Sequence, residues 1–265
     1  MKKYFVIGNP IEHSLSPTLH NFWIKKNRIN AVYEKKKLED DEINDFILGI
    51  RTKEISGANV TVPFKRSIIP FLDQLSQEAK NTQSVNTVFL DKDKLIGHNT
   101  DIFGFEASIK NIKIDLNNKD ILILGAGGVV PSIIFALKKM NVLKITVSNR
   151  TRARAENLKD LFKELSIVDW GDIPDSDVII NATSIGLKKN DKMKLNFSKL
   201  NNCKLFYDVI YNPSETDFLR TGREAGYKTE NGKMMFIYQA HASFKAWHGI
   251  EPEINNEAIN LLGQW

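Results

Sequence analysis

The sequence has 265 residues, of which 42% are hydrophobic and 26% charged; this excludes a disordered chain and allows one large or two ordinary domains. The net charge of +5 is modest, and the basic run at 35–37 lies beside an acidic run at 39–42, so nucleic-acid binding is not indicated. The single cysteine, Cys203, cannot form a disulfide within the chain, and no apolar run reaches the ~18 residues of a membrane helix. We therefore expect a cytoplasmic protein with neither a membrane nor a nucleic acid as its partner.

The first hundred residues alternate predicted strands and helices, which favours an α/β domain. Strands are predicted at residues 4–7, 31–33, 57–62, 85–90 and 94–98, the last two paired around a turn at 91–93. Helices are predicted at 40–50 and over most of 66–82. A further helix is expected after Ser16, with this serine as its cap and Pro17 as its first residue.

A second α/β domain is predicted to follow a linking helix at 103–118. It begins with a strand at 121–124, a glycine turn, a helical pattern to Met140 and a strand at 145–147. Later strands are predicted at 178–181 and 204–210. The amphipathic segment 236–247 is expected to form a helix that returns to the first domain.

The glycine turn, Gly125-Ala126-Gly127-Gly128, lies between a predicted strand and a predicted helix. Glycines here let backbone N–H groups approach a pyrophosphate at the helix N-terminus, where the helix dipole also favours an anion. The third position of the usual glycine pattern is Val130 rather than a small residue, and glycines alone also occur in ordinary tight turns. The strands on both sides favour a dinucleotide site over such a turn.

The end of the second strand indicates which dinucleotide binds. An NAD site usually has Asp or Glu there for the ribose 2′-OH, whereas this chain has Asn149, Arg150 and Arg154, with no acid before Glu156. Two guanidinium groups suit a 2′-phosphate. The sequence therefore predicts NADP(H) as the cofactor.

Four polar segments of the first hundred residues, 13–17, 59–65, 84–87 and 98–101, hold candidate ligand-binding groups. Taken singly, Ser16 is explained as a helix cap and Lys65 as a surface lysine after a strand. Four such segments in one domain predict a polyhydroxylated ligand, because each ligand hydroxyl needs a donor and an acceptor.

In their order and spacing these motifs resemble the shikimate dehydrogenase family, the NADP-dependent reductases of 3-dehydroshikimate. The resemblance covers residues 7–17, 59–65, 85–87, 99–101, 104–105, 125–128, 149–151 with Arg154, 181–186, 208–213 and 239–240. It implies an α/β protein of two α/β domains with an active-site cleft between them. The implied domains are a substrate-binding, catalytic domain at 1–103 plus the helical segment 236–265, and a Rossmann-type NADP-binding domain at 104–235.

The resemblance also implies roles for individual residues. Lys65 and Asp101 are the implied catalytic pair at the reacting C3 oxygen, where an ammonium beside a carboxylate can hold and pass a proton. The implied substrate-binding residues are Ser14, Ser16 and Tyr211 at the carboxylate and Thr61, Lys65, Asn86, Asp101 and Gln239 around the ring. The implied cofactor contacts are Gly125, Ala126, Gly127 and Gly128 at the pyrophosphate, Asn149, Arg150, Thr151 and Arg154 at the 2′-phosphate and adenosine, and Thr183, Ile210, Gly232 and Met235 at the nicotinamide.

The chain departs from the family pattern at 129–130, at 83–84 and at His241, and none of these changes removes an implied catalytic group.

Two other functions stay open. One is a quinate/shikimate dehydrogenase with relaxed substrate and cofactor choice, against which Arg150 argues; the other is a non-catalytic NADP-sensing module, against which Lys65 and Asp101 argue. The expected partner is a small molecule, shikimate or 3-dehydroshikimate, bound by a monomer or homodimer without a metal.

Overall fold

The computed structural model describes residues 1–188 and 190–263, which form two compact units. The first comprises Met1–Gly104 and the chain from Ile237 on, and the second comprises Phe105–Phe236. Gln264 and Trp265, which end the C-terminal segment expected to join the first domain, lie outside the described residues. Within the described ranges, no helix has the length and hydropathy needed to cross a membrane.

The first unit is built on a mixed sheet. Its strands are β1 (Lys2–Gly8), β2 (Ala31–Lys37), β3 (Gly57–Val60), β4 (Gln74–Leu75), β5 (Thr87–Asp91) and β6 (Lys94–His98). Its first helices are α1 (Ser16–Lys26), α2 (Ile43–Arg51), α3 (Phe64–Ser67) and α4 (Gln77–Thr82), with short 3₁₀ helices at Asp40–Glu42 and Ile69–Phe71. Apolar side chains of the sheet, including Ile7, Val60 and Val88, pack against those of α2 to form a core.

The pairing of these strands brings the polar segments together. The order is β2-β1-β3-β5-β6-β4; β1 runs parallel to β2 and β3, while β5 runs antiparallel to β3 and β6. Asn59 is paired with Thr87, and Thr87 with His98. The end of β3, the start of β5 and the end of β6 therefore meet, and the segments that hold Lys65, Asn86 and Asp101 begin there.

The second unit has an all-parallel sheet among its described residues. Its strands are β7 (Asp120–Leu124), β8 (Lys144–Ser148), β9 (Ser166–Val168), β10 (Val178–Asn181), β11 (Leu205–Asp208) and β12 (Lys228–Glu230). Helix α5 (Asp101–Asn111) begins in the first unit, whose first segment ends at Gly104, and continues into the second. The other helices of the second unit are α6 (Val130–Lys139), α7 (Arg152–Glu156) and α8 (Asp217–Glu224), with a 3₁₀ helix at Asn157–Asp160. The order β12-β11-β10-β7-β8-β9 reverses between β7 and β10, which is where doubly wound folds bind dinucleotides.

The chain ends with α9 (Lys233–His248) and α10 (Asn256–Asn260). From Ile237 on, α9 belongs to the first unit, where Trp247 stacks on Tyr4 at a centroid distance of 4.9 Å. His20 of α1 stacks on Tyr33 of β2 at 4.2 Å and lies 5.4 Å from the Trp247 ring. These aromatic contacts pack the C-terminal helix onto the edge of the first sheet.

The predicted α/β class and the strands around the glycine turn are confirmed, but the structure differs from three local predictions in detail. Ser16 does not cap α1: it is the first helical residue, Leu15 occupies the N-cap, and the Ser16 N–H donates to Ser14 Oγ at 3.3 Å. Residues 66–82 are mostly helical as predicted, at 66–67, 69–71 and 77–82, but the short strand β4 lies among them and pairs with β6. The helix predicted at 103–118 is α5, which ends at Asn111.

Candidate active site

Lys65 and Asp101 form a buried ion pair in the first unit. Lys65 Nζ lies 2.5 Å from Asp101 Oδ2, and the two side chains are 11% and 8% exposed. Lys65 belongs to α3, shortly after β3, and Asp101 opens α5 shortly after β6. The start of a helix favours a carboxylate electrostatically. A buried pair of this kind also needs hydrogen bonds to its remaining polar atoms.

Asn86 supplies such a bond to Asp101. Its Nδ2 donates to Asp101 Oδ1 at 2.8 Å, while its Oδ1 accepts the backbone N–H of Thr100 at 2.8 Å. A carboxylate only accepts hydrogen bonds, so these two contacts fix the orientation of the Asn86 amide. Gln239 Oε1 lies 3.5 Å from the same Nδ2. The structure thus brings Lys65, Asn86, Asp101 and Gln239 together.

Ser14 and Ser16 meet at the start of α1. The Ser14 hydroxyl donates to Ser16 Oγ at 3.2 Å, and Ser16 is buried. Thr61 follows β3, and its N–H donates to the carbonyl of Ile7 at 2.9 Å. Tyr211 belongs to the second unit, where its ring stacks on Phe236 at 4.5 Å.

The glycine turn lies at the carboxyl ends of β7 and β10. Gly125 has φ +111°, and a Cβ on it would lie 2.7 Å from the carbonyl oxygen of Ala182, so only glycine fits. Its N–H donates to the carbonyl of Ser148 at 2.7 Å. The turn with Ala126, Gly127 and Gly128 leads into α6, whose first residue, Val130, is fully buried. The valine at the third pattern position is therefore accommodated in the core, and the start of α6 suits a pyrophosphate.

Three arginines lie in or just after the loop that follows β8, and one of them differs from the other two because it is held by ion pairs. Arg152 is held by Asp169 at 2.5 Å and by Glu156 at 3.0 Å. Arg150 and Arg154 are exposed, and among the residues that the structure describes their guanidinium groups form no ion pair. Both guanidinium groups are thus available to bind a phosphate.

Asn149 and Thr151 lie in the same loop and are joined by a hydrogen bond. Asn149 Nδ2 donates to the Thr151 carbonyl at 2.8 Å, and Thr151 takes the N-cap position of α7. The predicted adenosine-binding residues therefore stand in one loop with the two arginines.

Three of the four predicted nicotinamide contacts are joined by one hydrogen-bond chain. The Thr183 hydroxyl donates to Asn181 Oδ1 at 2.7 Å, and Asn181 Nδ2 donates to Asp208 Oδ1 at 3.0 Å. The same Asp208 oxygen accepts the N–H of Ile210 at 2.9 Å. The carbonyl of Ile210 in turn accepts the N–H of Gly232 at 3.0 Å.

Gly232 and Met235 lie at the start of α9. A Cβ on Gly232 would lie 2.1 Å from the Val209 carbonyl oxygen, so the close approach of these two segments requires glycine. Met235 is buried in the first turn of the helix.

Asp208 is a site residue to which the sequence analysis gave no role. It is fully buried, and the Thr216 hydroxyl donates to its Oδ2 at 2.6 Å. Burial raises the pKa of the Asp208 carboxyl to about 6. The available signal was Asn181 at the end of one predicted strand and Asp208 within another, which become neighbours only in the folded sheet.

One departure from the family pattern has a conformational reason. Gln83 has φ +47° and ends α4 in the left-handed conformation, which glycine adopts at lower cost. Its side chain donates to the carbonyl of Lys80 at 2.8 Å.

Comparison with known protein families gives two matches that together span most of the chain. Residues 6–88 match the shikimate dehydrogenase substrate binding domain, and residues 107–211 match shikimate / quinate 5-dehydrogenase. The chain belongs to the shikimate dehydrogenase family. Among curated members of this family, shikimate dehydrogenase (NADP(+)) of Pelagibacter ubique is 57% identical over 263 residues, which cover 99% of each chain.

Solved structures of the shikimate dehydrogenase family have the same fold. Shikimate 5-dehydrogenase of Thermus thermophilus, in complex with NADP(H) and shikimate, superposes with a TM-score of 0.90 at 30% identity and covers 99% of both chains. The Aquifex aeolicus enzyme gives a TM-score of 0.87 at 35% identity, covering 99% of this chain and 96% of its own. The predicted family, fold class and type of enzyme, an NADP-dependent oxidoreductase, are confirmed.

Proposed function

We propose that this protein catalyses the reversible NADPH-linked reduction of 3-dehydroshikimate to shikimate. The observation that carries the proposal is the buried Lys65–Asp101 pair, with Asn86 bonded to the second carboxylate oxygen. The pair lies in the unit that contains the match to the substrate-binding domain of the family. The Pelagibacter relative is named for this activity, and the Thermus structure holds NADP(H) and shikimate.

The residues of the second unit fit NADP(H). Gly125 lets the turn pass close to the backbone of Ala182, the start of α6 suits a pyrophosphate, and Arg150 and Arg154 suit a 2′-phosphate. Thr183 and Ile210 are proposed to line the nicotinamide end, with Gly232 and Met235. When bound, the nicotinamide supplies the hydride of the reaction.

Reduction adds a hydride to the C3 carbonyl carbon and a proton to its oxygen. Lys65 is proposed to donate a hydrogen bond from Nζ to this oxygen and to pass it the proton. Asp101 holds the ammonium in place and stabilises its charge, while Asn86 fixes the carboxylate. In the reverse direction Lys65 takes the proton back.

The remaining substrate groups are assigned to polar residues around the pair. Ser14 and Ser16 are proposed to bind the carboxylate, since their hydroxyls meet at the start of α1, where an anion is favoured. Tyr211 is proposed to assist there, and Thr61 and Gln239 to bind ring hydroxyls. The protein is proposed to work in the cytoplasm as a monomer or homodimer.

Use of quinate is the second candidate function, since the matched family description includes both substrates. The wild-type protein is assayed by the change in NADPH absorbance with 3-dehydroshikimate, and in the reverse direction with shikimate or quinate, each with NADP⁺ or NAD⁺. The proposed function requires turnover of 3-dehydroshikimate with NADPH. Equal turnover of quinate and shikimate, with either cofactor, would favour the second candidate.

The role of Lys65 is tested with Lys65→Met, which keeps the apolar part of the side chain. We expect kcat to fall by about 10²–10⁴ because proton transfer by a positioned group is lost. NADPH binding, followed by its fluorescence, should be nearly unchanged. Lys53→Met is the matched control in the same unit, because Lys53 is exposed and pairs with the exposed Asp93. Near-normal kcat in Lys65→Met at saturating 3-dehydroshikimate would remove Lys65 from the chemistry.

A further inference from the structure

A cluster of buried hydroxyl groups lies next to Asn86. It is formed by Thr87, Thr100 and Ser243, whose exposures are 0%, 2% and 0%. Ser243 Oγ lies 2.8 Å from Thr87 Oγ1 and 3.1 Å from Thr100 Oγ1. Asn59 Nδ2 donates to Ser243 Oγ at 2.9 Å. So many polar groups in a dry interior must satisfy one another, and their hydrogen bonds are therefore tightly interdependent.

Within this hydroxyl cluster, the Ser243 oxygen accepts hydrogen bonds from its neighbours. Its oxygen lies 3.0 Å from the carbonyl of Gln239, one turn earlier in α9, and a carbonyl can only accept. Since a serine has a single hydroxyl proton, the Ser243 oxygen is left to accept from Asn59 and from a threonine hydroxyl. If one threonine donates its single hydroxyl proton to Ser243, the other threonine is left to donate to Asn86 Oδ1.

The threonines connect Ser243 to Asn86. Thr87 Oγ1 and Thr100 Oγ1 lie 3.0 Å and 3.1 Å from Asn86 Oδ1, and Thr100 Oγ1 also lies 2.9 Å from Asn86 Nδ2. A threonine hydroxyl that donates to Oδ1 supports the orientation of the amide in which Nδ2 faces the Asp101 carboxylate.

We propose that Ser243 is a positioning residue for the reaction, acting through the hydroxyl cluster and Asn86 on Asp101. The inference rests on the proposed function, because it concerns the geometry of the Lys65–Asp101 pair. Ser243 also connects two binding elements: its hydroxyl ties the turn of α9 that carries Gln239 to the residues flanking Asn86. A small displacement of these groups is costly, since an error of about 1 Å can reduce turnover by about 10²-fold.

The first test compares single variants. Ser243→Ala should lower kcat for 3-dehydroshikimate reduction by about tenfold or more and leave the KM for NADPH unchanged. Ser243→Cys keeps a similar shape and a weak acceptor, and should recover part of the lost kcat. Ser108→Ala is the matched control, because this buried serine of the second unit donates to the carbonyl of Phe105 and contacts Tyr207. It should keep the wild-type kcat.

The second test asks whether Ser243 acts through Asn86. In an Asn86→Ala background, Ser243→Ala should lower kcat much less than it does in the wild-type background. A merely structural role would lower the melting temperature while kcat per folded enzyme stayed unchanged, and that result would overturn the inference. Should Ser243→Ala fail to fold, the Thr87→Val and Thr100→Val variants remove the hydroxyls between Ser243 and Asn86, and a wild-type kcat in both would overturn the inference equally.

The proposed function and the proposed role of Ser243 are refuted by different results. A wild-type protein that does not reduce 3-dehydroshikimate with NADPH refutes the proposed function itself. A wild-type protein that does so, with normal kcat in both Ser243 variants, refutes only the role of Ser243.

Discussion

His20 should make the first unit sensitive to acid. Its imidazole is completely buried between aromatic rings, and among the described residues neither ring nitrogen has a hydrogen-bond partner. Burial lowers the pKa of His20 from 6.5 to about 3, with a smaller contribution from His248. The folded protein therefore holds a neutral imidazole at pH values where the unfolded chain has already taken up a proton.

The sign and size of the effect follow from this difference in bound protons. Below pH 6.5 the unfolded state binds more protons at His20, so the free energy of unfolding falls as pH falls, until the folded-state pKa near 3 is reached. Each pH unit within that window costs about 1.4 kcal/mol. Between about pH 8 and about pH 5, His20 should remove about 2 kcal/mol of stability.

The assay is urea unfolding at the two pH values, followed by tryptophan fluorescence. Trp23 and Trp247 lie 5.9 Å and 5.4 Å from the His20 ring and report on this unit. His20→Phe keeps a ring that can stack on Tyr33 and removes both unpartnered nitrogens. The pH-dependent loss should shrink by about 2 kcal/mol in this variant.

The same substitution at the exposed His13 should leave the pH-dependent loss as in the wild type. Burial also lowers the pKa of His248, to about 4, so His20→Phe should retain some acid sensitivity. An equal loss of free energy in His20→Phe and wild type would refute the reasoning.

Two further predictions concern the proposed ligand contacts. Arg150→Ala should raise the KM for NADPH by about ten- to a hundredfold, because a charge-assisted bond to phosphate contributes about 1.5–3 kcal/mol, and should change NADH use far less. Arg152→Ala is its control, since Arg152 is already paired with Asp169 and Glu156; equal losses with NADPH and NADH would contradict the assignment. Ser14→Ala should raise the KM for 3-dehydroshikimate more than it lowers kcat, because the carboxylate is remote from the reacting carbon. If wild type and variant discriminate equally against an analogue without the carboxylate, Ser14 does not bind that group.

The parts of the fold with strong local signals could be predicted from the sequence. The strand at 178–181 was predicted with its observed bounds, and β7 and β8 within one residue, because short apolar runs next to glycine or polar residues leave few alternatives. The strand β4 has only two residues, too few for a periodic pattern, so it was not predicted within the mostly helical segment 66–82. The start of α1 was displaced by one residue because Ser14 and Ser16 are both plausible capping residues.

The sequence indicated the groups that are proposed to react at the candidate site but not the residues that support them. Lys65 and Asp101 stand at predicted strand ends with recognisable neighbours. The contact between Ser243 and Thr87 joins residues 156 positions apart, and it depends on how α9 packs on the sheet. No local pattern marks such a partner, because serine within a helix is ordinarily a solvent-facing or back-bonding residue.

The two units use the same arrangement of an asparagine and an aspartate for different purposes. Asn86 donates to Asp101 and accepts a backbone N–H from Thr100; Asn181 donates to Asp208 and accepts a backbone N–H from Thr183. In both, the carboxylate fixes the amide because it offers no donor. The difference is the cation. Asp101 meets the ammonium of Lys65, whereas Asp208 has no ion pair among the described residues, and burial raises its pKa.

An aspartate with a buried ammonium beside it can assist a proton transfer, because its carboxylate interacts directly with the charge that the ammonium group gains or loses. An aspartate that meets only amide, hydroxyl and backbone donors can hold loops in place but has no proton carrier next to it. The presence of Lys65 beside Asp101 therefore distinguishes the proposed catalytic carboxylate from Asp208, which holds the residues proposed to line the nicotinamide end. The hydrogen bond from an asparagine is present at both carboxylates and therefore does not distinguish Asp101 from Asp208.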